Sequence, residues 1–150
     1  MPEEGKSILA RLLELEAHDL SEYVETLRAN RHGLFGYAYL DHYWTEAGRF
    51  PYFIRSDGEL AGLVLIRMTG ERIEMAEFFV LRSHRRAGVG ARAAALAFSR
   101  HSGEWEVLHA ARNAPAAAFW SRVIHAGAVS RVSREDRSDG TVVFRFASQP

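Results

Sequence analysis

The sequence predicts one α/β domain spanning residues 1–150, an α+β mixed sheet with an antiparallel meander, a parallel β-α-β crossover, a C-terminal β-hairpin and helices on both faces. Three observations predict it. Apolar residues recur at helical spacing in the first third of the chain and then alternate. The turn pairs Asp57-Gly58 and Thr69-Gly70 separate three strand-like runs. After the third run, a strand, a glycine loop and a helix follow in order, the start of a right-handed parallel connection.

Leu9, Leu12, Leu13, Leu20, Val24 and Leu27 recur at helical spacing, so residues 7–28 read as one amphipathic helix or two short ones, with Ser7 and Ser21 as caps. Asn30 to Gly33 breaks that pattern, and the aromatic-rich residues 34–44 read as a second helix ending before Gly48 and Pro51. Residues 52–55 and 60–68 form a hairpin around Asp57-Gly58, a pair suited to the positive φ angles of primed turns. Residues 72–81 are the third strand of the meander, and an alanine-rich helix runs to about Arg100. Residues 105–110 read as a strand, 114–125 as a helix opened by Asn113 and closed by Gly127, and 129–133 with 141–146 as a hairpin around Asp139-Gly140.

Composition narrows the function classes. A chain of 150 residues, 47% hydrophobic, buries enough surface to fold without a disulfide or metal staple. It has no cysteine, which excludes a thiolate zinc site and an enzyme thioester intermediate. Its formal net charge is zero, so no nucleic-acid partner is expected from its overall field. The polar start and the lack of any apolar run near the ~18 residues of a membrane helix predict a cytoplasmic protein with no membrane partner. The seven histidines contain no pair at i, i+3 or i+4, and no metal site is expected. Of the 19 basic residues only Lys6 is lysine, so any single arginine carries little information.

The glycine loop holds the densest positive charge, from Arg82, His84, Arg85, Arg86 and Arg92. Where a strand ends and a helix begins, unpaired backbone N–H groups and the positive end of the helix dipole favour a phosphate. Gly88, Gly90 and Ala93 satisfy the dinucleotide fingerprint G-x-G-x-x-A, with Arg112 where a 2′-phosphate would lie. The context argues against that motif, because three antiparallel strands precede the loop and only 60 residues follow Gly90. A P-loop is excluded, since no Gly-Lys-Ser or Gly-Lys-Thr occurs. The surviving pattern is R-x-x-G-x-G, Arg85 to Gly90.

Glu77-Phe78-Phe79-Val80, the segment Arg85 to Gly90, and Asn113-Ala114-Pro115-Ala116-Ala117-Ala118-Phe119-Trp120 together resemble the Gcn5-related N-acetyltransferase (GNAT) superfamily, over about residues 7–146 in element order. The resemblance implies acetyl-CoA as cosubstrate and no metal. By that similarity the backbone of Arg85, Arg86, Ala87, Gly88, Val89, Gly90 and Ala91 binds its pyrophosphate. The pantetheine arm lies along Phe78, Phe79 and Val80, where the parallel strands splay apart. Asn113 matches the family's asparagine that contacts this arm, and Trp120 is counted with the same cofactor-binding set. The backbone N–H of Val80 is the implied oxyanion donor.

An acceptor amine must lose a proton before attacking a thioester, and a strand carboxylate can take it. Glu74 and Glu77 are the candidates; three residues apart, they point to opposite faces of a regular strand, so only one is expected to face the acceptor. Glu77 matches the acidic position of the diamine acetyltransferases and Glu74 the base of the histone-acetylating branch, and Glu77 is preferred. In many relatives a tyrosine seven residues after the asparagine protonates the departing thiolate. Here that position is Trp120, which cannot, and His109 and His125 are the candidate substitutes. The acceptor pocket is sought among Phe35, Tyr37, Tyr39, Asp41, Tyr43 and Trp44, residues that equally suit a buried helix stripe, with Tyr37, Tyr39, Asp41 and Trp44 taken as substrate-binding.

Residues 1–6 are too short and polar for the family's opening edge strand, so the expected open edge predicts a homodimer or cover by the C-terminal hairpin. The expected activity is acetyl-CoA-dependent N-acetylation of a primary amine, of a small molecule, by direct attack in a ternary complex. The alternative is a non-catalytic acyl-CoA-binding or regulatory module.

Overall fold

Alternating apolar runs become six strands in the computed structural model, which describes residues 2–149. They are β1 (Arg49–Ser56), β2 (Glu59–Thr69), β3 (Arg72–Val80), β4 (Gly103–Ala110), β5 (Val129–Asp136) and β6 (Thr141–Ser148). They form one sheet in the order β1-β2-β3-β4-β6-β5. The helices are α1 (Lys6–Leu20), α2 (His42–Thr45), α3 (Val89–Arg100) and α4 (Ala114–Ala126). Among the described residues no helix is long and apolar enough to cross a membrane.

The turn chemistry acts as the sequence predicts. Asp57 and Gly58 take φ of 52° and 82°, joining β1 to β2. Gly70, at φ 63°, reverses the chain into β3. The β3–β4 pair is parallel but short, running only from Arg72 opposite Glu104 to Met75 opposite Val107. Beyond Met75 the two strands separate, and the last residues of β3 have no partner on β4.

Two apolar layers flank the sheet. On one face α3 and α4 pack Ala94, Phe98, Trp120 and Ile124 against Ile66, Met75, Trp105, Val107 and Phe144. On the other, Leu9, Leu12 and Leu13 of α1 pack with Tyr43 against Leu63, Leu65 and Phe79. Each fully buried side chain of this size contributes about 1.5–3 kcal/mol.

Three expectations fail locally. The first helix stops at Leu20 and no second one forms before residue 28; the chain there makes isolated turns, with the Tyr23 and Val24 N–H groups sharing the Leu20 carbonyl at 2.9 and 3.0 Å and the Leu27 N–H on the Val24 carbonyl at 3.0 Å. Neither serine opens it: Ser7 lies inside α1, and Ser21 follows its end, its hydroxyl donating to the His18 carbonyl at 2.7 Å. The stretch 34–44 is mostly irregular and only His42–Thr45 is helical. Gly33 and Gly36 adopt φ of 75° and 74°, which interrupts helix geometry. Side chains also capture the backbone donors: Asn30 Oδ1 accepts the N–H groups of His32 and Leu34, and Glu14 accepts those of Phe35 (2.8 Å) and Gly36 (2.7 Å).

Finally, the C-terminal hairpin does not cover the open edge. It pairs through β6 with β4, at the far side of the sheet from β1. The β1 edge keeps Pro51, which has no N–H to offer another strand.

Candidate active site

A single 3-10 turn, Arg82–His84, carries the chain from β3 into the glycine loop. Arg86 (φ 68°) and Gly88 (φ 74°) both take left-handed conformations, so the loop curls before α3 begins at Val89. Such a curl directs successive N–H groups inward, and the α3 dipole adds to the positive potential there. Gly90 is constrained by packing: a Cβ there would sit 3.1 Å from the Phe119 ring.

The loop is clipped from outside by α1. Asp19 accepts hydrogen bonds from Arg82 Nη2 and Arg85 Nη2, both at 2.7 Å. Arg85 also donates its Nε to the Val80 carbonyl at 2.7 Å and places its guanidinium 5.5 Å from the centre of the Phe79 ring. Partial burial pushes the Asp19 carboxyl upward, but the two arginines outweigh it and hold it below its ordinary range.

Between the end of α1, the tail of β3, the loop and the start of α4 lies a groove of about 830 Å³. The expected cofactor residues line it, namely Phe78, Phe79, Val80, Arg85, Arg86, Gly88, Gly90, Ala91, Asn113 and Trp120, except Ala87 and Val89. Val89 turns into the core and Ala87 faces solvent, so these two can offer the groove only backbone. Asn113 caps α4, its Oδ1 accepting the Ala116 N–H at 3.0 Å. Trp120 is 6% exposed and stands edge-on to Phe78 with centroids 5.0 Å apart, a packing position that also forms part of the wall.

The mouth of the gap between β3 and β4 opens into this groove. Leu81 N–H bonds the Ala61 carbonyl at 2.8 Å, so in the antiparallel ladder Val80, opposite Gly62, directs its own N–H and C=O away from β2 and into the gap. Phe78, two residues earlier, does the same, and its N–H meets Glu16 Oε1 at 3.3 Å. Gly62 makes the close approach of the strands possible, because any Cβ there would collide with the Phe79 carbonyl oxygen and lie 3.0 Å from Val80 Cα.

The two candidate bases are not divided between faces. Leu65 pairs with Glu77 and Arg67 with Glu74, while Ile66 pairs with Met75, so Ala76 is an extra residue bulged out of register. Because Leu65 and Arg67 share a face, Glu74 and Glu77 do too. They differ in partner. Glu74 is held in a bidentate ion pair by Arg67, with both contacts at 2.9 Å. Burial lifts the Glu77 carboxyl to about 7, against the lowering influence of the Tyr37 hydroxyl and the Arg67 charge. Burial and the nearby Glu77 in turn push the Tyr37 hydroxyl far up.

The expected acceptor residues separate into two groups. Tyr37 lies beside Glu77, with Tyr43 nearby. Tyr39 is 48% exposed, Asp41 ion-pairs with Lys6 at the surface, and Trp44 packs at the margin of the α1 core with the Lys6 amine 5.7 Å from its ring centre. Neither His109 nor His125 lines the groove: His109 is buried on β4 against Phe144, and the exposed His125 contacts the Ser121 carbonyl.

Sequence reasoning missed the contribution of α1 to the groove, Glu16 and Asp19 above all. A signal was present. Glu16 extends the Leu9-Leu12-Leu13 stripe at i+3 and i+4, a position where an unpaired charge is out of place.

A splayed parallel pair, an amide-lined loop at a helix start and a buried strand carboxylate define an acyl-transfer domain of the α/β class. The chain belongs to the acetyltransferase (GNAT) family, whose model matches residues 10–125. Among solved structures, an acetyltransferase from Thermus thermophilus is similar at TM-score 0.73 and 11% identity, covering 99% of this chain and 94% of that one. The PaiA N-acetyltransferase from Thermoplasma acidophilum, in complex with coenzyme A, is similar at TM-score 0.65 and 8% identity, covering 99% and 96%. The aminoglycoside acetyltransferase AAC(6′)-Ib, in complex with coenzyme A and kanamycin, is similar at TM-score 0.64 and 14% identity, covering 99% and 92%. No curated protein matches the chain in sequence.

Proposed function

We propose that this acetyltransferase moves the acetyl group of acetyl-CoA to a primary amine of a small molecule, by direct attack within a ternary complex. The observation that carries the reading is the Val80 N–H turned into the strand gap that opens on the groove, with the half-buried Glu77 carboxyl three residues earlier on the same strand. The bound cosubstrate supplies an activated acyl carbon and a thiol leaving group.

The chain's residues then have separable roles. The curled backbone from Arg85 to Ala91 binds the pyrophosphate through its N–H groups. Phe78, Phe79 and Val80 offer apolar walls to the pantetheine arm, with the Val80 N–H as the backbone donor still free in the gap, and Asn113 lies across the groove at the start of α4. Val80 N–H donates to the oxyanion that develops as the carbonyl is attacked. Glu77 takes the proton from the amine nitrogen; titrating near 7, it is poised to accept at neutral pH and to release afterwards. Glu74, neutralised by Arg67, shapes the field around Glu77.

Tyr37 beside Glu77 suits a cationic amine, with Tyr43 packed behind it in the core. The amino-sugar ligand of the aminoglycoside neighbour supports a small acceptor of this kind. Thiol release measured with a panel of polyamines, amino sugars and peptides tests the reading. Turnover with small amines supports it; saturable coenzyme A binding without release for any acceptor overturns it in favour of a non-catalytic acyl-CoA-binding module.

A further inference from the structure

Glu16 is a carboxyl inside an apolar layer. It occupies the buried stripe of α1, is 5% exposed, and reaches the mouth of the strand gap at Phe78. One oxygen, Oε1, accepts the Phe78 N–H at 3.3 Å, and the other, Oε2, is buried without any partner. An ionised carboxylate leaves four lone-pair directions to satisfy and here finds one donor, whereas a protonated one offers its carbonyl oxygen to Phe78 and keeps an O–H free. The Phe78 and Val80 N–H groups lie about 7 Å apart along the strand and point the same way, so Glu16 stands next to where the proposed oxyanion donor places the reacting carbonyl.

We propose that Glu16 holds the proton that passes to the departing thiolate, the task that Trp120 cannot perform. This rests on the acetyl-transfer reading above. As the C–N bond forms and the C–S bond breaks, the amine proton goes to Glu77 and the Glu16 Oε2 proton goes to sulfur. Transfer of the proton from Glu77 back to Glu16 restores both carboxyls, and the net reaction is amine plus thioester to amide plus thiol.

The surroundings keep the roles in this order. Burial and the neighbouring Glu77 both raise Glu16, with a smaller push from Asp19 and a lowering contribution from the Phe78 N–H. Asp19 is itself neutralised by Arg82 and Arg85, Tyr37 and Tyr43 flank Glu77, and α4 adds Arg122 to the far wall of the groove. Glu77, the less buried of the pair, ionises first, and its charge then retains the proton on Glu16.

The test has two arms. In the first, the protein with 13C-labelled glutamate side chains is titrated by NMR with coenzyme A bound, Glu16→Gln providing the assignment. A Glu16 carboxyl still protonated at pH 7 supports the proposal, and one already ionised overturns it whatever the acceptor. In the second, Glu16→Gln, which preserves shape and the acceptor for Phe78 N–H, is compared with the parent on any amine that turns over. The expected result is kcat lowered about 10–100-fold, at or below the low end for acid catalysis because a thiolate is a fair leaving group, with KM for acetyl-CoA within about threefold and the alkaline limb of the kcat profile gone. Unchanged kcat with an unchanged limb overturns the role of Glu16 while leaving acetyl transfer standing. Absence of turnover in the parent itself removes the acetyl-transfer reading.

Discussion

Glu77→Gln separates the stability of the fold from its chemistry. A carboxyl that titrates at about 7 instead of 4.5 resists ionisation in the folded state by about 3 kcal/mol. Below pH 4.5 the folded and unfolded chains both carry the proton. Between 4.5 and about 7 only the folded chain keeps it, so this contribution to stability falls through that window and is lost above it. Glutamine never ionises. Its advantage over glutamate should therefore be small near pH 4.5, grow with pH, and level off above 7 at up to about 3 kcal/mol. With an m-value of about 2 kcal/mol per molar urea, that is a gain of about 1–1.5 M in the unfolding midpoint. Urea unfolding at pH 5, 6, 7 and 8 measures it, alongside thiol release, which should drop about 100-fold or more in the variant. A midpoint difference that is the same at pH 5 and pH 8 refutes the burial of Glu77 as the source of its behaviour.

Gly62→Ala should lower stability by about 1–3 kcal/mol, because the added methyl strikes the Phe79 carbonyl, and coenzyme A affinity measured by calorimetry should fall with it. Gly90→Ala pushes the Phe119 ring off its stack with Phe78, 5.5 Å away, and should weaken coenzyme A binding several-fold with little change in melting temperature. Leu9→Ala, at a fully buried position, should cost about 2–5 kcal/mol in urea unfolding while leaving the loop sequence intact. The β1 edge has no strand partner among the described residues, and pairing along the part beyond Pro51 predicts a homodimer, which sedimentation equilibrium showing only a monomer removes.

What the sequence revealed was local and repeated. Asp57-Gly58 and Thr69-Gly70 fix the meander because few residues tolerate those φ angles, and R-x-x-G-x-G with Asn113 marks two helix starts whose backbone groups need partners. What it hid depended on three dimensions. The bulge at Ala76 has no glycine to announce it, yet it turns Glu74 and Glu77 to one face and reverses the inference drawn from a regular strand. The aromatics of residues 34–44 mimic a helical stripe, but two left-handed glycines and the Glu14 carboxylate decide their conformation. Glu16 is marked only by its place on the Leu9-Leu12-Leu13 stripe, and what it faces across the groove is a matter of packing that no local pattern carries.

Helix α1 has a wider consequence. Glu14 grips the Phe35–Gly36 backbone ahead of Tyr37, Glu16 reaches the strand gap, and Asp19 clips the arginines of the glycine loop. On the proposed reading, acceptor recognition, proton handling and cosubstrate docking all hang from one fifteen-residue rod. Engineering a new amine specificity by repacking that rod would disturb all three functions together, so directed evolution should instead find its useful changes on the tyrosine-bearing side of the cleft.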